Sequence, residues 1–572
     1  MLKLGRQMRQ VTQAQLNMKP LSNNGLAWLQ WLGLVLVFSI GLFGYLMQTV
    51  DWFHKTPGDL GDARFNSIVL EHLYQWTTGQ ARSLWSPEFF YPFEGALAFS
   101  DNHFGSGLSY IAARWFGFIR EDSFLIWFLV GNILNFWVCW WVLKRMGFSV
   151  MAAALGAFVF AFALPVLLKE NHAQLVYRFA TPLAFAAFYR TVSRRSRLDL
   201  AKTGVWFSVQ VLCSIYLGVF LAYLLLASLV AYGLCQPRLH NKIRQVNQNG
   251  QQQVKRDWLA LLWYALAVLA IAVAVYVLNR YQQIANDYHF SRPIEELKSM
   301  LPRIGSYFLA DGSQLTGWIG QFFREIPTRH EQQMFFGLGA WCLSLLALVT
   351  IWSSKLPNCV SVNILLLGRV VSVAWLILFV FTLSVNEHSI YLFVAELPGI
   401  GSIRAVSRIA LTMLMPVAVL VALATDVLLQ ARSNNMVKTL VGLALIAGVS
   451  SETVYYNALH VDKQEWLDRQ QRLSDSITNA IPAGDILWVT QDDDDPFFMT
   501  EIDAVIYAQD HHLRTLNGYS GNVPPGYSFP DPCVPASSRI DAYFVFRGAD
   551  EVRRQEMLSQ LGVVSSRPCL KP

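Results

Sequence analysis

Asp59 and Asp62 stand three positions apart in the run Pro57 to Phe65, beside Gly58 and Gly61, with Arg64 close behind. The run follows the first long apolar stretch by a few residues, so it meets water at the edge of a hydrocarbon layer. Carboxylates at such a boundary are costly to leave unpaired and usually belong to a site. Held there, one of them could take a proton from an acceptor at the outer face of a bilayer. If the pair opens a helix, positions i and i+3 share a face and can serve one site. The competing reading is that they only cap that helix, because Asp is a favoured N-cap and glycine tolerates the turn.

Three further groups could join them. Asp101 and His103 lie in Ser100-Asp101-Asn102-His103, and Lys169, Glu170 and His172 form a charged turn with Arg178 following. Charge this close to hydrocarbon faces a polar cavity or a partner, or else snorkels to the interface. Arg404 and Arg408 come after Pro398-Gly399-Ile400-Gly401 and just before an apolar run. At i, i+4 they would present two guanidinium groups on one helical face, suited to a phosphate or simply to lipid headgroups. No residues have the fixed spacing of a metal site. A divalent cation, Mg2+ or Mn2+, could still draw oxygen and nitrogen ligands from Asp59, Asp62, Asp101, His103, Glu170 and His172. The acidic run Asp492–Asp495 lacks the spaced calcium-loop pattern and reads as a solvated loop.

The elements that must position these groups are membrane helices. Apolar residues make up 54% of the chain and charged ones 15%, with nineteen tryptophans, against roughly 25% charged residues in a soluble domain. The net charge of +6 is that of basic membrane loops, not of a nucleic-acid binder. Windows of ~20 apolar residues give about eleven spans. They lie near Ala27–Thr49, Ser123–Leu143, Met151–Leu168, Leu175–Thr191, Ala201–Leu217, Val219–Cys235, Trp258–Leu278, Met334–Trp352, Ile364–Leu383, Ile409–Leu429 and Val437–Tyr455. With the N-terminal tail (residues 1–26) inside, every even turn is basic: Lys144-Arg145, Arg194-Arg195-Arg197, Arg238 to Arg256, Lys355, and Arg432 to Lys438. That is the positive-inside pattern. It depends on keeping two short spans either side of Tyr216-Leu217-Gly218.

The expected fold is therefore a membrane all-α domain over residues 27–455, with a first outer loop at about 50–122 that carries interfacial helices. Phe65 to Trp76 is amphipathic and should lie along the headgroups, and Phe104–Phe118 should be a second such helix. Residues 456–572 have a soluble composition and should form a small outer α/β domain. In it Asp485–Thr490 and Asp541–Phe546 read as strands, and Lys463–Ile477 and Asp550–Leu561 as helices. Cys533 and Cys569 both fall in it, so an outer disulfide between them is expected.

A first span, an acidic motif just outside it, interfacial helices in the first outer loop and some ten further spans resemble the GT-C superfamily. These membrane glycosyltransferases include protein O-mannosyltransferases and lipid A aminoarabinose transferases. The blocks A-R-F-N-S-I-V-L-E-H, F-F-Y-P and S-D-N-H-F-G also look like a group of bacterial multispan proteins. The resemblance implies a polyprenyl-phosphate-linked sugar donor and a glycan, lipid or protein acceptor. It also implies inverting transfer, with Asp62 or Asp59 as base. Many relatives have Asp-Glu where this chain has Asp59-Leu60-Gly61-Asp62, which leaves the acting residue open. On that reading Lys169, Arg178, Arg404 and Arg408 would hold the donor phosphate, while Glu170 or His172 would meet sugar or acceptor. The natural location is a bacterial inner membrane, with the C-terminal domain periplasmic. Two rivals stand beside this reading: a transporter or flippase of a lipid-linked glycan, and a non-catalytic scaffold with an outer binding domain.

Overall fold

The computed structural model describes residues 24–236, 258–353, 360–395, 397, 403–478, 485–490, 496–527, 531, 533–548 and 550–564. The basic run from Arg238 to Arg256, Lys355, Cys359, the turn Pro398–Gly401, the acidic run Asp492–Asp495 and Cys569 lie outside the described residues.

Helices occupy all eleven expected positions. The first, α1 (Asn24–Gly41), continues through a π turn and a short helical turn to Val50. Two helices follow before the next span, α2 (Asp62–Thr77) and α3 (Leu108–Trp115). Then come α4 (Arg120–Met146), α5 (Val150–Phe162), α6 (Ala180–Arg194), α7 (Arg197–Cys213), α8 (Ile215–Cys235), α9 (Trp258–Asp287), α10 (Leu338–Trp352), α11 (Val362–Thr382), α12 (Ala410–Gln430) and α13 (Asn435–Val454). Eight stretches among the described residues are long and apolar enough to cross a bilayer. The helices α6, α7 and α10, of 15, 17 and 15 residues, are shorter than the ~20 residues a straight crossing needs. The chain is a multi-pass membrane protein.

Short polar residues set where these helices start. Ser149, Ser196, Ser214, Ser361 and Asn434 each accept a hydrogen bond from a first-turn backbone N–H, satisfying a donor that has no partner within the helix. The corner between the fifth and sixth expected spans falls at Ser214, just before Tyr216-Leu217-Gly218. Asp101, between α2 and α3, accepts hydrogen bonds there from the Ser214 hydroxyl and from Ile215 N, at 2.7 Å for the latter.

Burial ranks the spans. The stretch Val150–Leu167 is buried throughout its apolar window and Val406–Gln430 through 89% of it, whereas Trp258–Asp287 is buried through only 17% and turns its flank to lipid. The central pair is α5 and α12. A side chain at Gly156 would meet the Ala418 carbonyl at 2.6 Å, so glycine lets the two backbones close together.

Outside the spans the chain is less modular than expected. Strand β1 (Lys55–Pro57) pairs antiparallel with β2 (His460–Asp462), stitching the end of the first span to the chain beyond the last. Helix α14 (Lys463–Thr478) follows. A parallel three-stranded sheet then forms in the order β4-β3-β5 from β3 (Ile486–Val489), β4 (Arg514–Thr515) and β5 (Leu561–Val564). Helix α15 (Phe497–Asp510) lies between β3 and β4, while α16 (Ser537–Arg547) and α17 (Glu551–Ser559) precede β5.

Two expectations are corrected here. Asp541–Phe546 is not a strand. It lies in α16, where Ile540 and Phe544 are buried one helical turn apart, and that spacing outweighs the strand preference of its aromatic run. The stretch Phe65 to Trp76 does not float in the headgroups. Within α2, twelve residues from Ala63 to Gln75 are buried, polar Asn66, Glu71 and His72 included, because the helix is packed between α3, α4 and α15. Helix α3 lies within the expected Phe104–Phe118, with Leu108, Trp115 and Phe116 exposed.

Candidate active site

The two aspartates part company. The side chain of Asp59 builds a turn: Oδ1 accepts from Gly61 N at 2.9 Å and Oδ2 from Asn171 Nδ2 at 2.9 Å. Asn171 Oδ1 in turn accepts from Asp59 N at 2.9 Å. A side chain at Gly58, whose φ is +84°, would strike Asn171 Oδ1 at 2.9 Å, so glycine is required where the two turns dock. Helix α2 begins only at Asp62, with Gly61 as its N-cap and no side-chain cap bond. The aspartates therefore do not share a helical face.

Asp62 points into a polar cluster. Tyr519 donates its hydroxyl to Oδ1 at 2.8 Å, and His172 Nδ1 lies 3.2 Å from Oδ2. His172 Nε2 lies 3.1 Å from Arg408 Nη2 and 3.0 Å from Glu331 Oε1. Glu331 receives both Arg408 Nε and Lys169 Nζ at 3.2 Å on Oε2, and Arg408 Nη2 at 2.5 Å on Oε1. Lys169 also donates to the Glu331 carbonyl at 2.6 Å. Arg408 stacks over Tyr216, with its guanidinium carbon 5.3 Å from the ring centroid.

Position in the fold explains the convergence. The turn from Lys169 to His172 follows the most buried span, and Arg408 opens its central partner. Glu331 closes the loop ahead of α10. Asp62 starts α2 above them, and Tyr519 reaches in from beyond β4. The two most buried helices bring their charged ends to one point at one rim of the bundle.

Electrostatics follow from the same contacts. Burial pushes the Asp62 carboxyl up, but the His172 hydrogen bond and charge, the Tyr519 bond and Arg408 outweigh it and hold it below its ordinary value. Burial likewise opposes ionisation of Glu331, and Arg408, Lys169 and His172 together hold it well below the carboxylate range. Asp62 keeps 34% of its side-chain surface exposed, against 4% for Glu331. It is the more exposed acid of the cluster.

The remaining sequence candidates spend their bonds on groups other than Asp62. Asp101 spends its oxygens on Ser214, Ile215 N and Asn102 N and caps α8. His103 Nε2 bonds Asn66 at 2.8 Å and Nδ1 bonds Ser106 at 3.0 Å, and burial lowers its pKa to about 3. It is a neutral strut for α2. Glu170 accepts from Leu459 N at 2.6 Å and Tyr45 Oη at 3.3 Å, and burial raises it to about 8. Arg178 turns inward to the carbonyls of Leu175 and Val176. Arg404 pairs with Glu296 at 2.7 Å and keeps 35% of its side chain exposed. It lies in non-helical chain ahead of the 3-10 turn Val406–Ile409, so it does not share a helical face with Arg408. Cys533 is disulfide-bonded.

Three contributors had no place in the sequence reading: Glu331, Asn171 as a partner of Asp59, and Tyr519 as a partner of Asp62. Glu331 was detectable by the rule that singled out Asp62, since it is a carboxylate just ahead of an apolar run. Glu331 has both oxygens on Arg408 and Lys169, Asp59 has both on N–H groups, and no three His, Cys, Asp or Glu residues converge among the described residues.

No family model matches the sequence, and no curated protein matches it. Among solved structures the chain is similar to the Archaeoglobus fulgidus oligosaccharyltransferase in complex with Zn and sulfate, at 14% identity and a TM-score of 0.44, over 93% of this chain and 67% of that one. The apo form of that enzyme gives 13% and 0.43 over 93% and 68%. The arabinofuranosyltransferase AftD from Mycobacteria gives 15% and 0.41 over 83% of this chain and 30% of its own.

Proposed function

We propose that the protein is an inverting membrane glycosyltransferase that moves a sugar from a polyprenyl-phosphate donor to an acceptor hydroxyl on the outer side of a bacterial inner membrane. The observation that carries this reading is Asp62: an ionised, substrate-accessible carboxylate at the rim of the spans, fixed by His172 and Tyr519 beside a cluster of cations. Such a group is suited to general-base chemistry on a lipid-borne substrate. The basic turns at Lys144-Arg145 and Arg194-Arg195-Arg197 support an inward orientation for the opposite rim.

In this reaction the acceptor hydroxyl gives its proton to Asp62 as its oxygen attacks the anomeric carbon opposite the phosphate. The carbon–oxygen bond to phosphate breaks, and its electron pair leaves with the phosphate. Developing charge on that group falls in the field of Arg404, Arg408 and Lys169. Arg404 is the exposed one, and a guanidinium can grip phosphate through two parallel N–H bonds. Asp59 holds the turn that presents Asp62.

Transfer from radiolabelled polyprenyl-phosphate sugars by purified protein in lipid tests the reading. Asp62→Asn should lose about 10²–10⁴-fold in kcat with folding intact, while Asp59→Asn should lose roughly tenfold or less, because Asn can still accept from Gly61 N. No transfer by the wild type across a broad donor and acceptor panel would refute it.

A further inference from the structure

We propose that His172 is a positioning residue for Asp62, locked as a permanent Nδ1–H donor to that carboxylate by a clamp of Arg408 and Glu331 on its other nitrogen. The inference deepens the transferase reading and rests on it. Sequence alone offers His172 as a sugar or acceptor ligand, but both of its ring nitrogens are taken by the protein.

The clamp follows from what each partner can do. A guanidinium only donates and a carboxylate only accepts. With Nε2 at 3.1 Å from Arg408 Nη2 and 3.0 Å from Glu331 Oε1, the nitrogen has a partner in either protonation state. A neutral ring accepts from Arg408 on a bare Nε2 and keeps its one proton on Nδ1, aimed at Asp62. A protonated ring donates from Nε2 to Glu331 and from Nδ1 to Asp62. Both states put the same N–H on the same oxygen. The remaining tautomer would set a bare Nδ1 against Asp62 and an Nε2–H against the Arg408 guanidinium, two mismatches; the Nδ1–H tautomer leaves one, a bare Nε2 beside Glu331 Oε1, where Arg408 Nη2 donates to both.

The charges around the ring hold this arrangement. From its own turn, Lys169 pairs with Glu331 at 3.2 Å, which keeps Glu331 an acceptor. Glu170 faces Tyr45 and Leu459 N instead of the ring, and Arg178 lines the same small cavity as His172. Tyr519 donates to the other oxygen of Asp62. The carboxylate is thus gripped on both oxygens by donors, and the acceptor hydroxyl must approach a remaining lone pair. Its proton then goes to Asp62, not to the imidazole, whose near nitrogen already carries one.

Two measurements test the clamp. In transfer assays from about pH 3, below the ordinary aspartate value, to about pH 9, His172→Leu should lower kcat on the order of a hundredfold with KM changed by about twofold or less. It should also move the acidic limb of the pH–rate profile upward, because Asp62 loses a donor to its charged form. His172→Asn, whose amide nitrogen can stand in for Nδ1, should recover most of that loss. The second measurement is the ¹⁵N spectrum of histidine-labelled wild type in lipid, with His172 assigned by difference from His172→Asn. Nδ1 should remain protonated through the whole titration. A bare Nδ1 at any pH, or a wild-type profile in His172→Leu, would overturn the clamp. A wild type that transfers no sugar would overturn the transferase reading, while the spectrum still decides the clamp.

Discussion

At the residue scale, the question left open by Asp59-Leu60-Gly61-Asp62 turns on where each oxygen is spent. Asp59 is consumed by Gly61 N and Asn171, whereas Asp62 is held by two side chains and still faces solvent. Glu170 gives a separate pH prediction. Its folded pKa of about 8 lies above the ordinary 4.5, so the fold favours its neutral form. The penalty for ionising it is absent below the ordinary carboxylate value and grows as pH rises from there through 8. Glu170→Gln, which keeps an acceptor for Leu459 N, should leave the melting temperature unchanged at about pH 4 and raise it by about 3 °C or more at about pH 9. Equal melting temperatures at both pH values would show that Glu170 is ionised at no cost in the fold. The residue types of the site were readable because charge beside hydrocarbon stands out. Their partners were not, since Asp62 and Tyr519 are 457 positions apart and no local pattern links them.

At the element scale, apolar length located the eight stretches that are long and apolar enough to cross a bilayer among the described residues, since that signal is local. The misreadings came where tertiary burial overrode local pattern. In α2 the polar face meets α15 and α3 instead of water, so an amphipathic sequence became a buried helix. In α16 a run of aromatics that suits a strand is helical, with Ile540 and Phe544 in its core. Close packing between α10 and α13 gives an element-scale prediction. An ideal side chain at Gly339 would sit 2.0 Å from the Gly448 carbonyl oxygen, and backbone cannot yield as a flexible side chain can. Gly339→Ala should therefore separate the two helices and cost about 1–3 kcal/mol, read as a lower unfolding midpoint in lipid. Gly233→Ala, at a helix position with nothing within 4 Å, is the control and should match or exceed the wild type. A Gly339→Ala midpoint equal to the wild type would mean that this contact is looser than the packing indicates.

At the scale of the whole molecule, composition separated residues 456–572 from the membrane part, and that break is real in sequence but not in contact. The C-terminal stretch adds β2 to β1, supplies Tyr519 to Asp62, and meets α2 and α4 through buried charge. Arg64 is wholly buried against Asp503, which also takes Arg469. Arg120 bonds Gln509 at 2.7 Å and pairs with Asp510. Backbone bonds run from Phe90 N to Asn517 O at 2.9 Å and from Thr515 N to Glu88 O at 2.8 Å. Removing one partner of a buried ion pair typically costs about 3–5 kcal/mol, because the other charge stays buried and unpaired. Ending the chain after residue 458 strands Arg64 and Arg120 at once, strips the cover from α2 and frees Asp62 of a donor. An appended domain could be cut away with the membrane part intact. Here the truncated chain should fail to accumulate in the membrane, and Asp503→Ala in the full chain should lower the unfolding midpoint while leaving Asp62, His172 and Tyr519 untouched. A truncated protein that accumulates normally and still transfers sugar would show that the outer stretch neither completes the fold nor builds the site.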